Sequence, residues 1–406
     1  MFSIIKMAYR DLGRNRRRSF FSALALGLGI GLLLMMAALI RGELAGGLNG
    51  TIQLETGDLQ VRAQSYNENK TSLAWKDLIA DPATVAAQVA SLAPVEIATP
   101  RLYASGIVAA SDTSFGVRII GVDPTAAAAN YPYTAGLVSG QFLSAGDSSG
   151  ILIGQTLATK LNLKPGDPLN LLVNTSNGDV DQQTFTVRGT YATGSSSYDQ
   201  GNVIMPLDKA QAISGAGNHA SIIFVVLKDR EQTAAVVTAL QSSPYQIRTW
   251  QQMNDFLLSF EPFANAMFYL LYLIVLGITA TVIVNTLVMA VFERTREIGI
   301  LAAIGMKSGR IMSMFFAESA LLAVGGLIIG WILGAGLVYY IVKIGFAVGN
   351  VGLTGVILSD TIHGQFNLSD GIQLSIVAMI VTLLAALYPA LLAARMEPVE
   401  ALHSNK

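Results

Sequence analysis

The chain has 406 residues, 52% of them hydrophobic and only 13% charged, against roughly 25% charged for an average soluble domain. A water-soluble protein of this size could not hide that much apolar surface. The chain contains no cysteine, so disulfides, thiolate metal sites and thiol-linked anchors are excluded within it; the formal net charge of −1 is informative only through its distribution.

The first element predicted is a short helix. Residues 2–12 place Phe2, Ile5, Tyr9 and Leu12 on one face, with Lys6 and Arg10 elsewhere. That pattern suits an interfacial helix on the inner leaflet over residues 1–18, its cations meeting anionic lipid. The plainer reading is a basic stop before a membrane span. Ser3-x-x-Lys6 matches a fragment of a penicillin-recognising motif but lacks its companions. Ser19–Ile40 then runs without a charge, long enough for a bilayer core that needs about 20 apolar residues. It is longer than the apolar core of a signal peptide. It also ends in Leu39-Ile40-Arg41-Gly42-Glu43, not at a small-residue cleavage site. A retained first span over 19–42 is predicted. Gly27 and Gly31, four apart, suit close helix packing.

Residues 43–261 read as a separate α+β domain inserted between spans one and two. Strand-like runs are Leu59–Ala63, Gly106–Ala110, Val117–Val122, Leu169–Val173, Thr184–Thr190 and Ile222–Leu227. Helix-like runs are Pro82–Leu92, Gln155–Leu161, Pro206–Ile213 and Glu231–Leu240. Asn177-Gly178 between two β-rich runs marks a hairpin turn. Leu44–Leu54 and Gln251–Phe260 read as helical stalks; ordinary linkers are the alternative. His219, His363 and His403 are scattered, with no pair at zinc-ligand spacing. No catalytic, cofactor-binding or metal site is predicted. Asn49, Asn69, Asn174 and Asn367 each begin an Asn-x-Ser/Thr triplet, a pattern that arises by chance in a Gly- and Ser-rich chain.

Pro262–Phe292 is the second uncharged run. The loop 293–318 follows, with Glu293, Arg294, Arg296, Glu297, Ile298, Gly299, Ile300 and Leu301 leading to Gly305. This reads as a short amphipathic helix closed by a glycine C-cap, built as a knob for a soluble partner. Gly305-Met306-Lys307-Ser308 only echoes a phosphate-binding loop, because the glycine spacing is wrong and no strand precedes it. Span three covers 319–342 and carries Gly326, Gly330 and Gly334 at the same close-packing interval. Glu318 reads as lying at the membrane interface. Ile344–Ser359 in the loop 343–370 is too short and too rich in Gly and Asn for a further span. Span four covers 371–394, and Pro389 is expected to kink or end it. A tail of 395–406 remains.

Lys and Arg set the orientation. Residues 1–18 carry six basic residues and one acidic, and the loop 293–318 carries Arg294, Arg296, Lys307 and Arg310. The region 43–261 has 12 basic and 19 acidic residues, and the loop 343–370 has only Lys343. Both termini and the 293–318 loop are therefore expected in the cytoplasm, and the inserted domain outside an inner membrane.

Four features in order resemble one family. They are Arg10-Asp11-Leu12-Gly13-Arg14-Asn15-Arg16-Arg17-Arg18, the large inserted domain, the Glu293–Gly305 segment, and an end that runs Tyr388-Pro389-Ala390, then Arg395-Met396-Glu397-Pro398-Val399-Glu400-Ala401-Leu402. The chain resembles FtsX-like ABC transporter permeases of the MacB and LolC/LolE type over essentially its whole length. Gly140-Gln141-Phe142-Leu143, Ile153-Gly154-Gln155 and Pro165-Gly166-Asp167 resemble that family's periplasmic core. Thr190-Tyr191, Thr193-Gly194, Tyr198-Asp199 and Met205-Pro206-Leu207 look closer to the lipoprotein-releasing branch, as does Gly57-Asp58-Leu59-Gln60-Val61, with Asp58 where that branch often has His.

The resemblance implies a non-catalytic permease working as a dimer, with a second copy or a paralogue, beside two copies of a separate ABC ATPase. The loop helix would dock on that ATPase, which would bind ATP and Mg2+; the permease itself would bind no cofactor and no nucleic acid. ATP-driven closure would move stalks and outer domains by mechanotransmission, for release or export of a lipoprotein or other amphiphile among membrane lipids. No phosphate-loop motif or fused ATPase is expected here, unlike in MacB. A membrane sensor or force-transmitting regulator with no substrate is the alternative, although it would ordinarily carry a larger cytoplasmic signalling domain. A membrane-anchored enzyme lacks its catalytic set.

Overall fold

The computed structural model describes residues 2–14, 16–67, 70–110, 113–129, 134–147, 149–349 and 359–396, with side chains from residue 6 onward. The carboxy-terminal Pro398–Leu402 motif and His403 lie outside the described residues. The chain divides into two compact units. One comprises Met1–Glu43, Phe260–Phe346 and Ile362–Lys406, and the other Leu44–Ser259 and Ala347–Thr361.

The first unit is helical. Its helices are α1 (Phe2–Arg14), α2 (Arg16–Thr51), α3 (Asp255–Glu293), α4 (Thr295–Ala303), α5 (Ser308–Lys343), α6 (Leu368–Ala385) and α7 (Leu387–Ala394). Among the described residues, four stretches are long and apolar enough to cross a membrane: Arg16–Thr56, Asp255–Glu293, Ser308–Lys343 and Leu368–Ala394. The helices outrun the uncharged stretches because nothing next to them breaks a helix. Arg41, Glu43, Leu44 and Ala45 continue α2, which ends in a π turn at Ile52–Thr56. Pro262 sits eight residues inside α3 and is accommodated there. Pro389 has a sharper effect. It cannot donate to the carbonyl four residues earlier, and the fourth apolar stretch breaks at Ala386, between α6 and α7.

Polar side chains tie these helices together. Ser22 and Thr286 share a hydrogen bond of 2.7 Å between α2 and α3, and the Tyr272 hydroxyl donates to the Leu374 carbonyl at 2.7 Å. Trp331 Nε1 donates to Ser375 Oγ at 2.9 Å between α5 and α6. In an apolar setting such bonds satisfy groups that have no water to turn to.

The second unit is a mixed sheet of ten strands: β1 (Leu59–Arg62), β2 (Val95–Ala110), β3 (Thr113–Val122), β4 (Leu137–Gly140), β5 (Gly150–Gly154), β6 (Pro168–Asn174), β7 (Val180–Tyr191), β8 (Asn202–Pro206), β9 (Ile222–Leu227) and β10 (Gln246–Thr249). Six of them pair in a closed ring. β2 pairs β3, β3 pairs β8, β8 pairs β5, β5 pairs β7, β7 pairs β6, and β6 returns to β2. Alternate residues of each strand therefore fill one interior. Leu102 and Ala104, Val117 and Ile119, Ile151 and Ile153, Leu169 and Leu171, Phe185 and Val187, and Val203 and Met205 form a single buried cluster. The turn between β6 and β7 carries Gly178 at φ +86°, as the Asn-Gly signal requires.

Of the other four strands, β4 pairs antiparallel with β7, and β10-β1-β9 run antiparallel and continue from β2. Helices Pro82–Ala90 and Thr233–Ala239 supply Val85, Val89 and Val236 to the core on that side. β4, β5, β8 and β10 had no distinct strand signal in the sequence. They are only four or five residues long, and their runs abut helices or turns.

Candidate functional site

The segment from Glu293 to Gly305 was expected to be a charged, apolar-faced knob. Glu293 ends α3, and Arg294 is the N-cap position of α4. α4 ends in a Schellman turn: Gly305 N–H donates to the Ala302 carbonyl and Met306 N–H to the Leu301 carbonyl, both at 3.0 Å. Gly305 holds φ +94° with open space where a side chain would be. The glycine is there for its backbone conformation.

Three of the four charges at the start of this segment bond within the chain, to the N-terminal segment. Arg18 Nη1 donates to Glu293 Oε2 at 2.8 Å, and Arg14 Nη1 to Glu297 Oε1 at 2.6 Å. The hydrogen bond and charge of Glu297 hold the Arg14 guanidinium above its ordinary pKa. Arg294 is 3% exposed. Its Nη1 lies 3.0 Å from Asp11 Oδ2, and its Nη2 donates to the Asp11 carbonyl at 3.0 Å. Glu318 Oε2 lies 3.8 Å from the same guanidinium. Glu318 is buried, 3% exposed. Because α5 begins at Ser308, Glu318 falls in its third turn, beside Arg294.

The apolar residues also divide. Ile298 is 2% exposed and packs with Val291, Ile311, Met314 and Phe315, while Gly299 is buried. Leu301 is half-buried. Ile300 is 43% and Ile304 79% exposed. One helical turn apart, these two form an apolar pair beside exposed Arg296, Lys307 and Arg310. Sequence reading chose Ile298, Ile300 and Leu301 as the contact residues. The structure turns Ile298 inward and makes Ile304 the most exposed apolar residue of the segment. Ile304 sits at the same four-residue spacing from Ile300, and that was the signal available. Asp11, Arg14 and Arg18 were missed as partners because no local rule says which distant charges will meet.

The glycines lie where α2 and α5 cross. A side-chain carbon on Gly27 would come within 2.7 Å of Ile329, and one on Gly330 within 2.8 Å of Ile30. One on Gly31 would lie 3.3 Å from the Gly334 nitrogen, and one on Gly334 2.7 Å from Leu34. Gly326 is likewise closed off by Leu26.

Within the second unit, Asp58 is buried and accepts from Leu227 N–H and from Arg230 Nε, each at 2.8 Å. It joins β1 to the end of β9.

Residues 19–243 match the MacB-like periplasmic core domain, and residues 269–398 the FtsX-like permease C-terminal region. The chain belongs to the FtsX-like ABC transporter permeases of the MacB and LolC/LolE type. This permease is 24% identical to the lipoprotein-releasing system transmembrane protein LolE of Haemophilus influenzae over 63% of its own length and 65% of that protein's. It is 29% identical to the macrolide export ATP-binding/permease protein MacB of Rhodospirillum rubrum over 99% of its length and 60% of that protein's. The matches thus span somewhat under two thirds of these curated relatives. The crystal structure of the periplasmic region of MacB from Actinobacillus actinomycetemcomitans is similar at 15% identity and a TM-score of 0.37, covering 51% of this chain and 96% of that one.

Proposed function

We propose that this permease is the membrane subunit of an ABC transporter and that a separate ATPase dimer docks on α4. The observation that carries this reading is the exposed Ile300–Ile304 pair on a helix braced from behind by Arg294, Ile298 and the N-terminal ion pairs. Two isoleucines left in water forgo roughly 1.5–3 kcal/mol each of burial. A braced helix can pass a push from its partner into α3 and α5 instead of absorbing it. The basic bias of residues 1–18 and 293–318 supports a cytoplasmic position for both, with the second unit outside an inner membrane. The permease then binds no nucleotide itself. ATP and Mg2+ sit in the partner, and closure of the ATPase moves α2 and α3 and, through them, the outer domain.

The substrate class that fits is an amphiphile such as a lipoprotein, handled on the outer side by a pair of permease subunits, identical or paralogous, among membrane lipids. A pull-down tests the coupling step. Ile300→Asp with Ile304→Asp should preserve expression and membrane insertion yet lose the co-expressed ATPase. Wild-type recovery of the ATPase with this double variant would eliminate α4 as the dock.

A further inference from the structure

Besides α2 and α3, the loop between α5 and α6 passes from the first unit into the second and back, with Ala347–Thr361 belonging to the second. Asp360 fastens that loop to the outer domain. Its N–H donates to the Gly194 carbonyl at 2.8 Å. Its two carboxylate oxygens accept from Ser196 N–H, each at 3.1 Å, and Oδ2 accepts from the Ser196 hydroxyl. Bonds to a charged acceptor are stronger than those between neutral groups. The other arm of the loop is tied in as well, because Val348 N–H donates to the Asp360 carbonyl at 2.9 Å. The helix Ser196–Gly201 that receives Asp360 is held to the sheet. Tyr198 is buried, Asn202 Nδ2 donates to the Tyr198 carbonyl at 2.8 Å, and the Tyr191 hydroxyl donates to the Asn202 carbonyl at 2.9 Å.

The chain just beyond Thr361 is held to α2 within the first unit. Gln365 N–H donates to the Ala38 carbonyl at 2.9 Å, and Arg41 Nη2 lies 2.6 Å from Asp370 Oδ2. The approach is close, since a side-chain carbon on Gly42 would lie 2.2 Å from the His363 carbonyl oxygen. One short segment thus has an anchor in each unit.

We infer that Asp360–Asp370 is a strap that limits how far the outer domain swings from the base of α2. The five residues from Asp360 to Gln365 extend at most roughly 18 Å, so with both anchors in place the domain cannot move beyond that reach. α2 by itself is a weak restraint. It passes between the units at Glu43–Leu44 and continues through Gly46 and Gly47. Gly46 has open space where a side chain would be, so packing does not demand a glycine there. What the glycine supplies is a backbone that bends readily. A second link beside a bendable helix turns free swivelling into a bounded stroke. The use of such a stop rests on the coupling proposed above, in which closure of the ATPase drives the outer domain.

Double electron–electron resonance on the full cysteine-free chain tests the strap. Spin labels are placed at Ser242→Cys, exposed in the outer domain, and at Tyr339→Cys, exposed on α5. The permease is measured in lipid nanodiscs without an ATPase. Inserting Gly-Ser-Gly-Ser between Thr361 and Ile362 keeps both anchors and should move the outer edge of the distance distribution outward by up to roughly 13 Å. Asp360→Ala, which releases one anchor, should also move it outward. Asp147→Asn breaks the ion pair with Arg188 elsewhere in the same unit and should leave the distribution as in the parent. Parent distances in either strap variant overturn the inference, and so does an equal broadening in Asp147→Asn; each strap variant decides alone should the other fail to fold. Docking at α4 plays no part in this measurement, so a failed strap and a failed coupling are told apart by this experiment and the pull-down.

Discussion

Arg294 holds Asp11 twice, through an ion pair of 3.0 Å to the carboxylate and a hydrogen bond of 3.0 Å to the carbonyl. These two residues join the N-terminal helix to the root of α4 across 283 positions of sequence. Removing Arg294 would strand the Asp11 and Glu318 carboxylates together. Breaking a buried pair costs about 3–5 kcal/mol, and the low end applies because Asp11 keeps some contact with water. Arg294→Gln is predicted to lower the thermal midpoint by the equivalent of about 3 kcal/mol. Arg14→Gln, whose pair is exposed, should change it little. Equal effects from the two variants would refute this ranking.

Ile298 and Ile304 are six residues apart and face opposite ways. Ile298→Asp puts a carboxylate into the cluster with Phe315 and Met314 and should reduce folded yield, at a cost of several kcal/mol. Ile304→Asp should leave yield and melting unchanged. Comparing detergent-solubilised yields of the two variants by size-exclusion chromatography checks the division. A yield loss at Ile304 equal to that at Ile298 would contradict it.

The crossing of α2 and α5 predicts a contrast between two glycines of one helix. Gly330→Ala places a carbon 2.8 Å from Ile30 and should destabilise by about 1–3 kcal/mol through overpacking. Gly336→Ala meets nothing within 4 Å and should be neutral or slightly stabilising, since alanine gives up less backbone freedom in a helix. Melting curves in detergent distinguish them.

Asp199 gives a pH prediction. Burial pushes its carboxyl up to about 6, opposed by hydrogen bonds from Thr193 and assisted by the nearby charge of Asp360. The fold therefore favours the protonated form. Its contribution is present below about pH 4 and is lost as pH rises through about 6, up to about 3 kcal/mol in all. Asp147, held below its ordinary value first by its hydrogen bond from Arg188, acts in the opposite direction. The telling quantity is the difference between Asp199→Asn and the wild type. The asparagine variant should gain relative stability between pH 4 and pH 6.5, and a constant difference across that range would rule out the titration.

Much of the architecture could be read from runs and spacings. The four uncharged stretches, the Asn177-Gly178 turn and the glycine stop at Gly305 depend on neighbours within a few residues, so local rules reach them. The stalk Leu44–Leu54 read as helical, but its continuity with the first span as one helix, Arg16–Thr51, did not show, because the charged residues between them end a membrane signal without ending a helix. The short strand Asn202–Pro206 did not show either, since its strand character comes from pairing with residues 118–122 and 152–153.

The sequence by itself determined the membrane-like composition, the inserted domain, the family, and the presence of a capped amphipathic helix after Glu293. The family follows from the resemblance of its motifs; the other three follow from hydropathy, charge count and backbone conformations that a single residue type imposes. The tertiary structure alone decided which side of that helix is free. Ile298 and Ile304 carry the same side chain, and only the packing of α4 against α1 and α5 sends one inward and leaves the other 79% exposed. It also chose the charge partners, because an ion pair needs two groups within about 4 Å. Residues as far apart as Asp11 and Arg294 reach that distance only once the helices have packed.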